Sequence, residues 1–324
     1  MIKLKRILAV LDGSDADAVV ATKAVALARQ HHATLELFLC DAQLAYSLLH
    51  TYDSSGVAAA RRGCVRDARR YLQSLRDTIV GADVPIVVDA VCESPLHEGI
   101  VRKVLRSRPD LVIKNAAARH PRRWSTWGAD DWQLMRACPA TLLLSRGKSW
   151  QPNPKFAAAV DVSSQETVEL PEEILQTSRV LGEGCHGQLE VLYSEPREVD
   201  ATSRQQHLAA LEALARSAGL AAADIHFLVG AAEQALPEFA AGRGYDAFVM
   251  GALTHHQGVS ALVGTLTAKL VETLDCDFVL VKPASYQSQV ELNGPVFPVE
   301  PEFETSPPPQ RSGVPDFVSP WQLP

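Results

Sequence analysis

The sequence contains no long hydrophobic run. None of its apolar stretches approaches the roughly 18 residues that a membrane-spanning helix needs. The apolar stretch nearest the start, residues 7–11, is followed at once by Asp12 and Asp15. It is also shorter than the apolar core of a secretory signal, which has about 7–15 residues. We therefore expect no membrane span and a cytoplasmic location.

Paired cysteines and catalytic motifs are also missing. The six cysteines are scattered, with no Cys-x-x-Cys, so neither a disulfide framework nor a zinc site nor a redox dithiol is indicated. There is no Gly-x-Ser-x-Gly motif, no Walker-type phosphate loop and no Gly-x-Gly-x-x-Gly after an apolar run. We expect buried, reduced thiols, no metal site, no catalytic residues and no enzymatic activity.

The composition is that of a globular protein, but its charge is unevenly distributed. Hydrophobic residues make up 47% and charged residues 21%, and the length suggests about two domains. The net charge is −7, yet residues 1–150 carry 22 Lys+Arg against 15 Asp+Glu. Residues 151–283 carry 8 against 18. A basic half joined to an acidic half suggests that the halves attract one another, or that only the first meets an anionic partner.

Nine arginines of the first half could form a patch for a phosphate-bearing partner. We favour the alternative of a solvated helix face paired with the acidic second half. No aromatic residues interleave with these arginines to stack on bases, so we expect no specific nucleic-acid partner. The nine are Arg61, Arg62, Arg66, Arg69, Arg70, Arg76, Arg119, Arg122 and Arg123.

Short apolar runs alternate with longer amphipathic stretches along the chain. Such runs are typical of parallel strands covered on both faces, and the alternation predicts an α/β fold. The stretch 57–80 places apolar side chains on one face at helical spacing and arginines on the other. The ten predicted strands are residues 7–11, 35–39, 85–91, 111–113, 141–144, 156–160, 189–193, 225–229, 247–250 and 278–281.

The two halves of the chain resemble one another. Residues 5–14 match residues 155–163, and residues 109–115 match residues 245–251. A repeat of this length indicates a duplicated domain. We predict a first domain over residues 1–148, a second over 149–283, and a flexible proline-rich tail over 284–324, which contains nine prolines.

Candidate binding residues follow the first and fourth strands of each half. Asp12 and Asp161 follow the first strands, where open α/β sheets bind ligands, although each aspartate could simply cap the next helix. In the second half Gly251 ends the fourth strand, and Gly264 with Thr265 opens a helix. Helix N-termini bind anions, and glycine allows a phosphate to approach closely.

These features resemble the universal stress protein family, and in particular its tandem-domain members. The resemblance rests on an Asp after strand one and on a Gly-x2-Gly-x9-Gly-(Ser/Thr) loop after strand four. It also rests on Leu111-Val-Ile-Lys114, His120 and Asp131-Trp132 of the first half. It implies two flavodoxin-like domains, each with a five-stranded parallel sheet and helices on both faces, paired through their last strands. In nucleotide-binding members the Asp contacts adenine, and the loop holds phosphates and ribose.

Carried over to this sequence, the resemblance gives a candidate ATP site in the second domain. Its residues are Asp161, Gly251, Thr254, Gly264 and Thr265, with Thr254 standing where the family has a second glycine.

The first domain carries a degenerate counterpart of this site. Two glycines and the hydroxyl residue of the loop are replaced there, and ATP is the only cofactor that the resemblance suggests, in the second domain alone. The counterpart residues are Asp12, Asn115, Ala118 and Gly128.

Three functions remain open on this reading. We favour a non-enzymatic stress-response protein that acts by binding an unidentified protein or small molecule through its two paired domains, with homodimerisation also open. The second is an ATP-binding switch or slow ATPase acting through the second domain. The third is a carrier of an amphipathic or lipid-like ligand, for which Trp124, Trp127 and Trp132 could line an apolar cleft.

Overall fold

The computed structural model describes residues 3–49, 54–79, 84–116, 128–163, 169–183, 185–221, 224–252 and 264–292. All ten predicted strands are present, and most extend by only one or two residues at either end. They are β1 (Arg6–Leu11), β2 (Thr34–Cys40), β3 (Ile86–Val91), β4 (Leu111–Asn115), β5 (Thr141–Ser145), β6 (Lys155–Ala159), β7 (Gln188–Glu195), β8 (Ile225–Val229), β9 (Ala247–Gly251) and β10 (Asp277–Val281).

Helices connect the strands, as the alternating pattern predicts. Within the ranges that the structure describes, none of them is both long enough and apolar enough to cross a membrane. The helices are α1 (Asp17–His31), α2 (Ala42–Leu48), α3 (Ser54–Ile79), α4 (Leu96–Ser107), α5 (Ala129–Ala137), α6 (Glu169–Glu183), α7 (Ala201–Ser217), α8 (Ala232–Ala240) and α9 (Thr265–Thr273).

The strands form one continuous sheet in the order β3-β2-β1-β4-β5-β10-β9-β6-β7-β8. Within each domain the five strands are parallel. The domains join through β5 and β10, which pair antiparallel with Phe278 opposite Leu144 and Leu280 opposite Leu142. The predicted fold class is confirmed, including the pairing of the two copies through their last strands.

Two hydrophobic cores cover the two faces of this sheet. Alternate strand residues point to opposite faces, so Ile7 and Leu11 of β1 enter one core while Leu8 and Val10 enter the other. Helices α1, α3, α6 and α7 pack on the first face, and α4, α5, α8 and α9 on the second. Because the five strands of each domain are parallel, the carboxyl ends that carry the candidate residues all lie on the same side of that sheet.

An aspartate anchors the first strand of each domain in the same way. The Asp110 carboxylate accepts the backbone N–H groups of Lys5 and Arg6, at 2.7 and 2.9 Å. The Asp246 carboxylate accepts those of Gln151 and Lys155, at 3.0 and 2.9 Å. Both aspartates belong to the repeated segments recognised in the sequence, so the repeat preserves this backbone contact.

A buried ion pair connects the two domains beside the β5–β10 junction. Lys23 Nζ of α1 lies 2.5 Å from Asp277 Oδ2, and the two side chains are only 4% and 2% exposed. The Asp277 carboxylate also accepts the Trp150 indole N–H at 2.7 Å and the backbone N–H of Arg146 at 2.8 Å. Burial lowers the pKa of Lys23 and raises that of Asp277, and their mutual attraction opposes both changes.

The start of the predicted tail contacts the first domain. The Tyr286 hydroxyl donates to the Arg136 carbonyl at 2.6 Å, and the Ser288 hydroxyl donates to the Ala137 carbonyl at 2.8 Å. Both carbonyls belong to the last turn of α5, whose final C=O groups have no partner within the helix. The rest of the tail lies outside the described residues, so its flexibility stays a prediction. The proposed domain bounds also stay predictions.

Arg69 and Arg70 of α3 pair within the first domain, so for them the expected pairing with the acidic second half is wrong. Helix α3 packs on β2 and β3, at the end of the sheet farthest from the second domain. Arg69 pairs with Asp89 at 2.9 Å, and Arg70 pairs with Asp67 at 3.0 Å. The acidic partners are local, because β1, β4 and β5 lie between these strands and the second domain. Arg119, Arg122 and Arg123 lie outside the described residues.

Candidate functional site

In the second domain the structure brings together most of the predicted binding residues. Strands β6 and β9 are neighbours, with Ala158 opposite Val249; Asp161 comes two residues after the end of β6, and Gly251 ends β9. The Asp161 carboxylate is half-buried and accepts the backbone N–H of Ser163 at 2.8 Å. The Thr267 hydroxyl donates to the Gly251 carbonyl at 3.1 Å, which holds the start of α9 against the strand end.

The N-terminus of α9 carries no acidic side chain of its own. Gly264 is the N-cap residue and has no side-chain oxygen to offer, and the first turn contains neither Asp nor Glu. The first backbone N–H groups of a helix and its positive dipole end favour an anion. Thr265 is exposed and is not the cap. Thr254 lies outside the described residues.

In the first domain the corresponding position is filled by a buried ion pair. Lys114 Nζ lies 2.6 Å from Asp131 Oδ1 and donates to the Asn115 carbonyl at 2.8 Å. Asp131 is the third residue of α5, and its other oxygen accepts the backbone N–H of Gly128 at 3.1 Å. A carboxylate of the chain thus occupies the helix N-terminus that remains without one in the second domain. Ala118, between these elements, lies outside the described residues.

Asp12 does not cap α1, although the sequence allowed that role. Its carboxylate accepts the backbone N–H of Ser14 at 3.0 Å, and the N-cap residue of α1 is Ala16. Asp17, which is 1% exposed, accepts the backbone N–H groups of Asp12 and Gly13 at 3.1 and 2.8 Å. It also accepts the Tyr71 hydroxyl at 2.8 Å. Burial raises the pKa of Asp17 despite these hydrogen bonds.

A polar network beside Asp161 was missed from the sequence. Glu195, at the end of β7 and 1% exposed, forms an ion pair with Arg204 of α7. His207 Nδ1 lies 2.9 Å from the Glu195 carboxylate and 3.2 Å from the Tyr193 hydroxyl. Burial and then the charge of Asp161 raise the pKa of Tyr193, so this tyrosine is close to the predicted site. The sequence did hold a signal for this network: Glu195 follows an apolar run, and Arg204 and His207 are three residues apart on the next helix.

Comparisons with known proteins show which proteins this chain resembles. The model described as the universal stress protein family matches residues 3–146. Universal stress protein E of Escherichia coli is 24% identical over 311 residues, which cover 90% of this chain and 98% of that protein. Residues 3–146 thus match the universal stress protein family, and over most of its length the chain is similar to universal stress protein E. A universal stress protein E homologue of Haemophilus influenzae is 22% identical over 304 residues, covering 87% of this chain and 98% of that protein.

Solved structures support the fold of this chain across both domains. A protein of unknown function from Pseudomonas aeruginosa superposes with a TM-score of 0.68 at 20% identity, covering 87% of this chain and 93% of that one. A universal stress protein from Archaeoglobus fulgidus gives 0.60 at 10% identity, covering 86% and 98%. The predicted tandem architecture is confirmed, and the similarity to universal stress proteins supports a role in the stress response.

The remaining sequence candidates find less support in the geometry. Trp132 is half-buried and packs against the core on the second face of the sheet, while Trp124 and Trp127 lie outside the described residues. Among the residues that the structure does describe, no cluster of three or more His, Cys, Asp or Glu side chains could hold a metal ion. The six cysteines are free thiols, of which Cys64 and Cys185 are half-buried and the rest buried.

Proposed function

We propose that this chain is a non-enzymatic stress-response protein that binds an anionic ligand in its second domain. Its first domain serves as the closed half of the pair. The observation that carries the proposal is the contrast between two helices at equivalent positions. Helix α5 begins with the carboxylate of Asp131 on its N-terminus, whereas α9 has Thr267 at the same position and no acid in its first turn.

The electrostatic consequence of this contrast favours a ligand in one domain only. A helix N-terminus that already holds a carboxylate repels a further negative charge, while one that lacks it attracts an anion. In the second domain Asp161 lies on the neighbouring strand end, where a carboxylate can accept hydrogen bonds from a base or a ribose. A ligand with a phosphate at one end and hydrogen-bond donors at the other fits both groups.

ATP is the candidate ligand that follows from these two groups. Asp161 would face the adenosine part, and Gly251, Gly264 and Thr265 would lie against ribose and phosphates, as the family resemblance implies. A switch or slow ATPase is the second candidate function, favoured by the same residues. It requires bound ATP to be hydrolysed, whereas the favoured function requires only binding. The lipid-carrier alternative depends on tryptophans of which only Trp132 is described, and that one packs in the core.

The test compares variants of the second domain with matched variants of the first. Native mass spectrometry and calorimetric titration with ATP are applied to the wild type, Asp161→Ala, Thr267→Asp and Asp12→Ala. Thr267→Asp gives α9 the carboxylate that α5 already has, so we expect it to weaken ATP binding at least about tenfold, and Asp161→Ala similarly. Asp12→Ala should bind as the wild type does.

The control for added charge is Thr273→Asp, which places the same carboxylate in the last turn of α9. It should leave ATP affinity within about twofold, because helix-dipole effects are confined to the first and last turns. Equal losses in Asp12→Ala and Asp161→Ala would contradict the proposal. Wild-type protein that binds no nucleotide, or that carries a lipid-mass adduct indifferent to Asp161, would also contradict it. Phosphate release from bound ATP would favour the switch instead.

A further inference from the structure

Three cysteines that are far apart in sequence lie together at the carboxyl ends of β2 and β3 in the first domain. Cys40 ends β2, Cys92 directly follows β3, and the β2–β3 register places Cys40 opposite Val91. Cys64 belongs to α3, which packs across these two strands. Its thiol donates to Asp41 Oδ2 at 3.3 Å, and the Asp41 backbone N–H donates to the Val91 carbonyl at 2.9 Å, so Cys64 lies beside Cys92. Sequence spacing could not indicate this pair, because its members lie on different elements.

The surroundings of the three thiols make them chemically different. The contact with Cys64 lowers the pKa of Cys92 despite the opposing effect of burial, and the positive charge of Arg61 acts in the same direction. The same contact, together with burial and the charge of Asp41, raises the pKa of Cys64. Burial raises the pKa of Cys40, whose thiol donates to the Glu93 carbonyl at 3.4 Å. A thiol with a lowered pKa beside a thiol with a raised pKa is the arrangement of a reactive and a resolving cysteine, and Cys92 is 6% exposed.

We propose that Cys92 and Cys64 form a reversible disulfide when the protein meets a peroxide. The Cys92 thiolate attacks one oxygen of hydrogen peroxide, so that an S–O bond forms and the O–O bond breaks. The departing hydroxide takes up the proton that Cys92 had lost and leaves as water. The Cys92 sulfur is thereby oxidised to a sulfenic acid.

The second step closes the disulfide and uses the carboxylate beside Cys64. Cys64 passes its proton to Asp41 Oδ2 as its sulfur attacks the Cys92 sulfur. The S–S bond forms, the S–O bond breaks, and the leaving hydroxide takes that proton to become the second water. In sum, two thiols and one hydrogen peroxide give one disulfide and two waters. A thiol reductant such as dithiothreitol or thioredoxin reverses the oxidation by disulfide exchange.

The disulfide would join the middle of α3 to the end of β3. The thiol bond from Cys64 to Asp41 is lost when it forms, and Asp41 is also the N-cap of α2, where it accepts the Leu44 N–H at 2.9 Å. Oxidation therefore changes the edge of the first domain and leaves the candidate ligand residues of the second domain unchanged. This inference is independent of the proposed ligand, so either can fail without the other.

The experiment exposes the full-length protein to a small excess of hydrogen peroxide and then blocks the remaining thiols with an alkylating agent. Peptide mass spectrometry should find the peptides of Cys64 and Cys92 joined to one another, and separated again after dithiothreitol. In Cys64→Ser the Cys92 sulfenic acid should accumulate and be trapped by dimedone. In Cys92→Ala the remaining thiols should oxidise at least about tenfold more slowly than Cys92 does in the wild type. Circular dichroism confirms that both variants are folded.

Cys185→Ser is the matched control, because Cys185 is half-buried like Cys64 but donates to the Leu181 carbonyl at 2.9 Å and has its pKa raised to about 12 by burial. It should oxidise as the wild type does. Oxidation of Cys40 or Cys185 before Cys92 would overturn the proposal. Disulfides only between molecules, or an unchanged rate in folded Cys92→Ala, would overturn it as well. If Cys92→Ala does not fold, the order of modification in the wild type decides.

Discussion

A carboxylate stands at the end of the second strand in each domain, yet the two carboxylates meet different partners. Asp41 follows β2 and accepts a hydrogen bond from the Cys64 thiol of α3, whereas Glu195 ends β7 and contacts Arg204 and His207 of α7. The backbone geometry is repeated, but the side chains facing it are not. Duplication has therefore kept the position of the acid and changed the chemistry around it.

Glu195 should stabilise the second domain at neutral pH and lose this effect in acid. Burial raises its pKa, but the hydrogen bonds from His207 and Arg204 outweigh burial and lower it overall. A depressed carboxylate pKa gives stability that is complete above the unfolded value of about 4.3 and is lost as pH falls through the folded value. We expect Glu195→Gln to lower the free energy of unfolding by about 2–3 kcal/mol at pH 7.

Urea denaturation at pH 7 and at successively lower pH would measure this difference. The gap between wild type and Glu195→Gln should shrink as the pH falls below about 4.3 and through the lowered folded pKa, where the wild-type carboxylate becomes protonated as well. Glu198→Gln, at an exposed position of the following loop, is the control and should stay within about 0.5 kcal/mol of the wild type. A gap that persists unchanged in acid would show that Glu195 acts through packing and not through its charge.

At the scale of elements, the N-terminus of α5 shows how the first domain closes its candidate site. Asp131 both caps the helix and neutralises Lys114, which is 8% exposed. Asp131→Ala should cost about 3 kcal/mol or more, because it removes a cap worth ~1 kcal/mol and leaves a buried lysine without its carboxylate. Asp130→Ala, which removes a half-exposed contact to His97, should cost less than about 1 kcal/mol.

Urea midpoints of the two variants would measure these costs, and a double variant separates their sources. Replacing Lys114 by Met together with Asp131→Ala removes the stranded charge, so it should recover stability relative to Asp131→Ala alone. What remains missing is the helix cap. If the double variant is no more stable than Asp131→Ala, the ion pair is not what closes this site.

The elements were predictable from the sequence because each depends on local pattern. Strands buried on both faces have continuous apolar runs, so all ten could be located, and helical spacing located α3. The side-chain partners were not predictable, because they come from different elements. Asp12 was considered as the cap of α1, yet it is Asp17 that accepts the backbone N–H groups of Asp12 and Gly13. This turn requires Gly13 at a φ of 77°. The network of Glu195, and the Cys64–Cys92 contact, likewise exist only once helices pack on the sheet.

At the scale of the whole molecule, the two domains are joined by a shared sheet and by ion pairs of contrasting burial. Lys23 and Asp277 are buried, whereas Lys148 and Asp275 form an ion pair across the same junction with 62% and 65% exposed side chains. Lys23 and Lys148 both belong to the first domain as predicted. Asp277 is the first residue of β10, and Asp275 lies two residues before it. The two pairs provide a comparison of buried and exposed electrostatics within one interface.

Lys23→Met should destabilise the joined molecule far more than Lys148→Met. Removing Lys23 leaves the Asp277 carboxylate buried with only the Trp150 and Arg146 N–H groups, and breaking a buried pair in this way costs about 3–5 kcal/mol. The exposed pair is screened by solvent and should contribute less than about 1 kcal/mol.

Urea unfolding followed by amide hydrogen exchange would measure both the loss and its location. Because Lys23 belongs to α1 and Asp277 to β10, we expect exchange to increase on both sides of the junction. Adding Asp277→Asn to Lys23→Met should recover part of the loss, since the stranded charge is then gone. Equal costs for the two lysine variants, or faster exchange confined to the first domain, would mean that the shared sheet alone joins the domains.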